Sequence, residues 1–288
     1  MPTEIQQVTF ASDDIELVVL PELGARIHSI KFRGHDLLRT PATFEEHRAD
    51  PFFWGAYVMA PWCNRISPGL TTVGERVVDL PSNFTDGTAI HGQVYIAPWE
   101  REGDELTFTG GAEGWPWRYG TSLRVTVAGS TVRIEQALEN LDQVAMPGGI
   151  GIHPWFTGQP LVAIHSGQVY STNSATPAKP IDVEGDLDLE LLGPMAVGVD
   201  ATWAVEPRGL VAELHWPDSG THVEVHVESA TAFVVAANPG NRDAIALETQ
   251  THAPQGLRRL TKREPGALTM IAPGESLKLV TELRVSQR

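Results

Sequence analysis

Apolar and polar residues alternate with a period of two along most of this chain, the spacing that sets one face of a β-strand against a core. Ile15, Leu17 and Val19 alternate in this way, and so do Leu123, Val125 and Val127. After Gly129-Ser130 the alternation resumes with Val132 and Ile134, which predicts a hairpin closed by a two-residue turn. Val223, Val225 and Val227 form another run, followed at once by the apolar stretch 232–237 of a buried strand. Turn residues recur at short spacing, among them Pro21, Gly24, Gly34, Asp86-Gly87, Pro147-Gly148, Pro239-Gly240 and Pro273-Gly274. Helix candidates are short and two in number, residues 44–49 and 187–192. The prediction is an all-β chain, a large antiparallel β-sandwich forming one domain over residues 1–288, without internal repeat or low-complexity linker.

Composition narrows the partners. Of 288 residues, 42% are hydrophobic and 20% charged, the balance of a soluble globular protein. Asp and Glu number 36 against 21 Lys and Arg, a formal charge of −15. That argues against nucleic acid or an anionic membrane as partner, since both require a basic face. Cys63 is the single cysteine, so no internal disulfide forms, and no Cys/His spacing reads as a zinc site. The apolar runs fall far short of the roughly 20 residues that span a bilayer, and the N-terminus lacks a basic segment followed by an apolar run. A cytoplasmic protein is expected.

Four segments carry ionisable groups among Trp, Pro and Gly at expected strand ends. They are residues 59–66 (MAPWCNRI), 89–99 (AIHGQVYIAPW), 151–156 (GIHPWF) and 246–256 (ALETQTHAPQG). Each has a purely structural explanation. His153 precedes Pro154, which imposes extended or turn backbone; His91 precedes Gly92 in a turn; Glu248 follows Ile245, Ala246 and Leu247 as a strand leaves the core; Arg65 suits a surface ion pair. Together they suit sugar chemistry. Interconverting anomers needs a base for the C1 hydroxyl and an acid for the ring oxygen, and a Glu and a His on opposite sides of one pocket supply both without metal or organic cofactor. Trp faces suit the apolar C–H faces of a sugar, and Trp62, Trp99, Trp155 and Trp203 lie close in sequence to candidate polar groups. His222, Glu224 and His226 share one strand face and have chelating spacing, but they alternate with Val223, Val225 and Val227, which reads as the solvated face of a half-buried strand.

In order and spacing these segments resemble the aldose 1-epimerase family over most of the chain. Leu23-Gly24-Ala25-Arg26-Ile27, Ser29-Ile30 and 34–38 (GHDLL) resemble its first hairpin. Asn64-Arg65-Ile66, His91-Gly92, Gly114-Trp115-Pro116, 151–156, Asp200-Ala201-Thr202-Trp203, 248–251 (ETQT) and 271–275 (IAPGE) follow in the family's order. The resemblance implies the galactose mutarotase-like supersandwich fold. It implies Glu248 as general base on the C1 hydroxyl, His153 as the acid at the ring oxygen, His91 bonding near the same atoms, and Arg65 and Asp200 holding sugar hydroxyls. Trp155 stands where the family often has Tyr, and Gln93-Val94-Tyr95 where sugar-phosphate-acting members carry an arginine. Three functions follow as expectations: a mutarotase for a neutral hexose, one for a 6-phosphate or sulfonated hexose, and a non-catalytic sugar-binding module of the same fold. Sugar identity and oligomeric state are not readable from the sequence.

Overall fold

The computed structural model describes residues 5–112, 114–171 and 179–288. Two large antiparallel sheets carry the chain. Along the main path of the first, the strands run Val8–Ala11, Ile15–Leu20, Arg26–Phe32, Ala56–Met59, Gly151–Thr157, Ala244–Gln250, Ala232–Ala237, Asp200–Val205, Gln168–Tyr170 and Ile181–Asp182. The second has nine strands centred on Trp115–Ala128, Thr131–Asn140, Ser276–Gln287 and Thr221–Ser229. The hairpin at Gly129-Ser130 forms as its sequence predicts, with Ala128 paired to Thr131. The alternating runs are longer than short-strand spacing suggests: Trp115–Ala128 has 14 residues.

Period-two alternation decides what each face meets. Ile27, Val58, Ile152, Leu247 and Val234 of the first sheet point into the main core, where they meet Leu123, Val125, Ile134, Leu283 and Val225 of the second. Their neighbours Arg26, Tyr57, His153, Glu248 and Val235 fall on the other face of the same strands. That face is also covered, so Ala244–Gln250 is buried at every position, and a strand buried on both sides loses the polar alternation that would mark a solvated face.

A short helix at Glu45–Ala49 matches the first helix candidate. Residues 187–192 do not form the second; a 3-10 turn at Gly185–Leu187 precedes them and the following residues are irregular. The longer helix, Gly256–Lys262, was not apparent as a periodic run because Gly256, Leu257 and Arg259 are all buried, which blurs an amphipathic stripe. Among the described residues no helix is long and apolar enough to cross a membrane.

Candidate active site

The covered face of the first sheet holds a cavity of about 330 Å³. Gly151 pairs with Gln250 and Ile152 with Thr249, so the same register sets His153 beside Glu248. Their side chains meet, with His153 Nε2 3.1 Å from Glu248 Oε1. They are therefore neighbours on adjacent strands, not groups on opposite sides of a pocket, and they lie within strands instead of at strand ends. Two oxygens on one sugar carbon are themselves close together, and side-by-side groups suit them better than facing ones.

Both side chains are almost fully buried, His153 at 5% and Glu248 at 3% exposure. Burial pushes Glu248 well above the carboxylate range; Asp200 adds to this and Arg65 opposes it. Burial also lowers His153 to about 3, with the Arg26 and Arg65 cations adding to the effect. Both shifts favour the uncharged pair, with the titratable proton on the Glu248 carboxyl and the His153 imidazole neutral. Glu248 Oε2, His153 Nδ1 and the Tyr57 hydroxyl are buried without a hydrogen-bond partner. All three residues line the cavity.

His91 reaches the cavity through a tight loop. Both Asn64 and His91 hold left-handed backbone, at φ 54° and 58°. Gly92 follows at φ 75°, and a Cβ there would sit 1.9 Å from the Ala60 carbonyl oxygen, so only glycine fits. The Asn64 N–H donates to His91 Nδ1 across 3.2 Å, which leaves the neutral ring's hydrogen on Nε2. Burial, reinforced by His153 and Arg65, holds His91 well below the ordinary histidine range. It meets the His153 ring edge-on, centroids 5.1 Å apart.

Arg65 lies opposite Ile90 in a two-residue strand pairing. Its Nε donates to Asp86 Oδ2 at 2.8 Å, and one terminal nitrogen lies 3.9 Å from Asp200 Oδ2. Asp200 opens a strand three positions along the sheet from His153's, beyond those of Glu248 and Ala232–Ala237, and both residues line the cavity. All five expected residues, Glu248, His153, His91, Arg65 and Asp200, line this one cavity.

The aromatic wall differs from the sequence expectation. Trp155 lines the cavity and Trp62, Trp99 and Trp203 are buried in the main core. Phe52, Phe84 and Tyr57 complete the wall. Tyr57 escaped notice because a single aromatic in a four-residue apolar strand reads as core; its position two residues from Met59, on the face opposite Val58, is the available signal. Asn64 and Asn238 also line the cavity.

The second strand singled out for its spacing also departs from expectation. His222 is fully buried, not solvated, because its ring packs near His215 and against Glu213 of the neighbouring strand. Glu213, His222 and Glu224 bring ligand-type atoms within 4.8 Å of one another. The Arg288 guanidinium lies against both carboxylates, at 3.9 Å from Glu213 and 3.4 Å from Glu224.

Comparison with known proteins agrees with this fold. The chain is 27% identical over 200 residues to the uncharacterized protein YihR of Escherichia coli K12, a match covering 64% of this chain and 63% of that protein's length. In three dimensions it resembles a galactose mutarotase-like protein of Clostridium acetobutylicum, with TM-score 0.87, 20% identity, and 99% and 96% of the two chains covered. It also resembles galactose 1-epimerase from Lactobacillus acidophilus, with TM-score 0.78, 15% identity, and 100% and 96% covered. The sequence pattern of the family described as aldose 1-epimerase matches residues 6–284, nearly the whole sequence, and the chain belongs to that family.

Proposed function

We propose that this protein is a mutarotase that interconverts the α and β anomers of a neutral hexose. The observation that carries the proposal is the buried Glu248–His153 pair, 3.1 Å apart, lining one cavity of monosaccharide scale with His91, Arg65 and Asp200. Ring opening begins with the pair's proton on His153. The Glu248 carboxylate takes the C1 hydroxyl hydrogen while His153 Nε2 gives its own to the ring oxygen, and the C1–O5 bond breaks to leave the aldehyde. Rotation about C1–C2 and closure on the other face reverse both transfers. Burial favours the uncharged form of the pair, because it disfavours a carboxylate and an imidazolium alike. Sugar hydroxyls, together with Arg65, which lowers Glu248, supply the polar surroundings that the charged form requires.

In this reading the His91 Nε2 hydrogen is a donor toward the reacting oxygens, and Arg65 and Asp200 fix hydroxyls farther along the ring. Neutrality of the sugar is supported by the charges lining the cavity. Among the described lining residues Arg65 is the sole Arg or Lys, already engaged by Asp86 and near Asp200, while Glu248 and Asp200 are both acids. A phosphate or sulfonate is normally met by converging cations. Arg242 instead pairs with Asp50 at 2.8 Å, and Arg118 lines a different surface beside Asp142.

The test is anomer exchange followed by NMR or polarimetry across glucose, galactose, less common aldoses and their 6-phosphates. Acceleration of neutral sugars over their phosphates is expected. Acceleration of none would leave a sugar-binding module, and a Glu248→Gln protein as fast as the parent would remove the assigned chemistry.

A further inference from the structure

Four side chains form one row across adjacent strands of the first sheet. Ile27 pairs with Ala56, which sets Arg26 beside Tyr57; Tyr57 pairs with His153; and the next register sets His153 beside Glu248. The row is also a stack. The Arg26 guanidinium carbon lies 4.9 Å from the centre of the Tyr57 ring, and the His153 ring stacks on Tyr57 at 4.5 Å and 24°. The strands bearing Arg26 and His153 flank the strand bearing Tyr57, so cation and imidazole take opposite faces of one ring.

Arg26 and Tyr57 are both fully buried. The guanidinium donates to the carbonyls of Trp54 at 2.8 Å, Pro51 at 2.6 Å and Tyr95 at 3.3 Å. These acceptors are neutral, so they fix the head group without cancelling its charge. A charge away from water is felt farther than one at the surface. An imidazolium at His153 would then confront a second cation across one aromatic ring.

We propose that Arg26 is a positioning residue of the acid–base site, whose buried cation, acting through the Tyr57 ring, keeps the Glu248–His153 pair at one proton by opposing a second on His153. Two of its hydrogen bonds also hold the turn at residues 51–54, which carries Phe52 to the cavity wall. This rests on the anomer-exchange reading of the pair. The remaining groups around His153 are Glu248 beside it, His91 against its edge, and Arg65 and Asp200 across the cavity. Of these, Arg65 pushes in the same direction as Arg26. Burial lowers Arg26 itself only to about 10, so the cation persists through neutral pH.

The experiment compares the parent with Arg26→Gln, which keeps amide donors but loses the charge, and Arg26→Lys, which keeps the charge but loses the fork. The His153 ring is titrated by histidine NMR, assigned through His153→Gln, alongside the pH profile of anomer exchange. Parent His153 should stay neutral into acid. Arg26→Gln should raise its titration, and the acid limb of the rate profile, by about one pH unit, the effect of a unit charge across one intervening ring at a protein-like dielectric. Arg26→Lys should keep the limb in place while raising KM through the loosened Phe52 turn. The proposal is overturned if parent His153 titrates near ~6.5, the ordinary histidine value, or if folded Arg26→Gln leaves its titration unmoved. Absence of anomer exchange in the parent would sink the enzymatic reading alone, because the NMR titration still decides the electrostatic one.

Discussion

Two regions of this molecule bring histidine and glutamate together at similar distances, and they make different environments. On the covered face of the first sheet, His153 meets Glu248 at 3.1 Å. On the second sheet, His222 meets Glu213 at 2.9 Å, His226 meets Glu224 at 3.2 Å and His165 meets Glu213 at 3.3 Å. Contact length therefore does not single out an acid–base pair. In the first region both members are buried and face a cavity walled by Phe52, Tyr57, Phe84 and Trp155. In the second, only His222 is fully buried, the glutamates keep access to solvent, and Arg288 leans on both. Water and an exposed arginine damp the field there. In the cavity, burial pushes Glu248 up and His153 down, which favours the protonated carboxyl beside a neutral imidazole.

The largest expected effect breaks the comparison directly. Glu248→Gln keeps size and shape but removes the base, and loss of a positioned general base costs about 10²–10⁴-fold in rate. Glu213→Gln, with the same change in the other region, should leave anomer exchange at the parental rate. Equal losses in both variants would mean that the second-sheet cluster takes part in the reaction.

Next in size is the contrast between tryptophans. Trp203 is fully buried in the main core and its indole N–H donates to the Leu187 carbonyl. Replacing it with Ala should cost about 3–5 kcal/mol, the usual price of a large buried aromatic, read by urea denaturation. Trp155 is partly exposed at the cavity and sits 5.2 Å from the His153 ring. Its replacement should cost less stability and raise KM more. The reverse order would place the sugar platform in the wrong tryptophan.

A smaller effect follows from the sign of the Glu248 shift. Its folded pKa is raised, so the folded state binds a proton that the unfolded chain releases above ~4.3, its ordinary value. The parent should therefore lose stability as pH rises from that value toward the raised one. Glu248→Gln has no such proton to lose, so its melting temperature should gain on the parent's as pH rises above about 4, the range of an ordinary carboxylate. A gap that stays constant with pH would show that Glu248 is ionised in the folded cavity.

Much of this was legible in the sequence, for identifiable reasons. Alternation at Leu123, Val125 and Val127 and at Val223, Val225 and Val227 survives because one face of each strand meets the core. His153, His91, Arg65 and Glu248 stood out because ionisable residues are conspicuous among Trp, Pro and Gly, whereas Asp200 came only from the resemblance to the family. The row from Arg26 to Glu248 was not legible, since it joins four strands that are distant in sequence and depends on pairing register, which alternation does not specify. Trp62, Trp99 and Trp203 misled for a related reason: closeness along a strand says little about which face a ring takes. His222 was misread because Glu213, which helps to bury it, comes from another strand.

The smallest effect tests whether Arg288 matters to the second region. Register sets Glu213 directly opposite Glu224, an arrangement of like charges that destabilises a sheet. Arg288 approaches both, yet its side chain is 53% exposed and its contacts are 3.9 Å and 3.4 Å, longer than a tight pair. Exposed ion pairs contribute about 0–1 kcal/mol, so Arg288→Ala should lower stability by no more than that, and the loss should shrink in high salt. Anomer exchange should not change. A loss several times larger, insensitive to salt, would mean that the second-sheet cluster is as shielded as the cavity, and the contrast drawn between the two regions would fail on its electrostatic side.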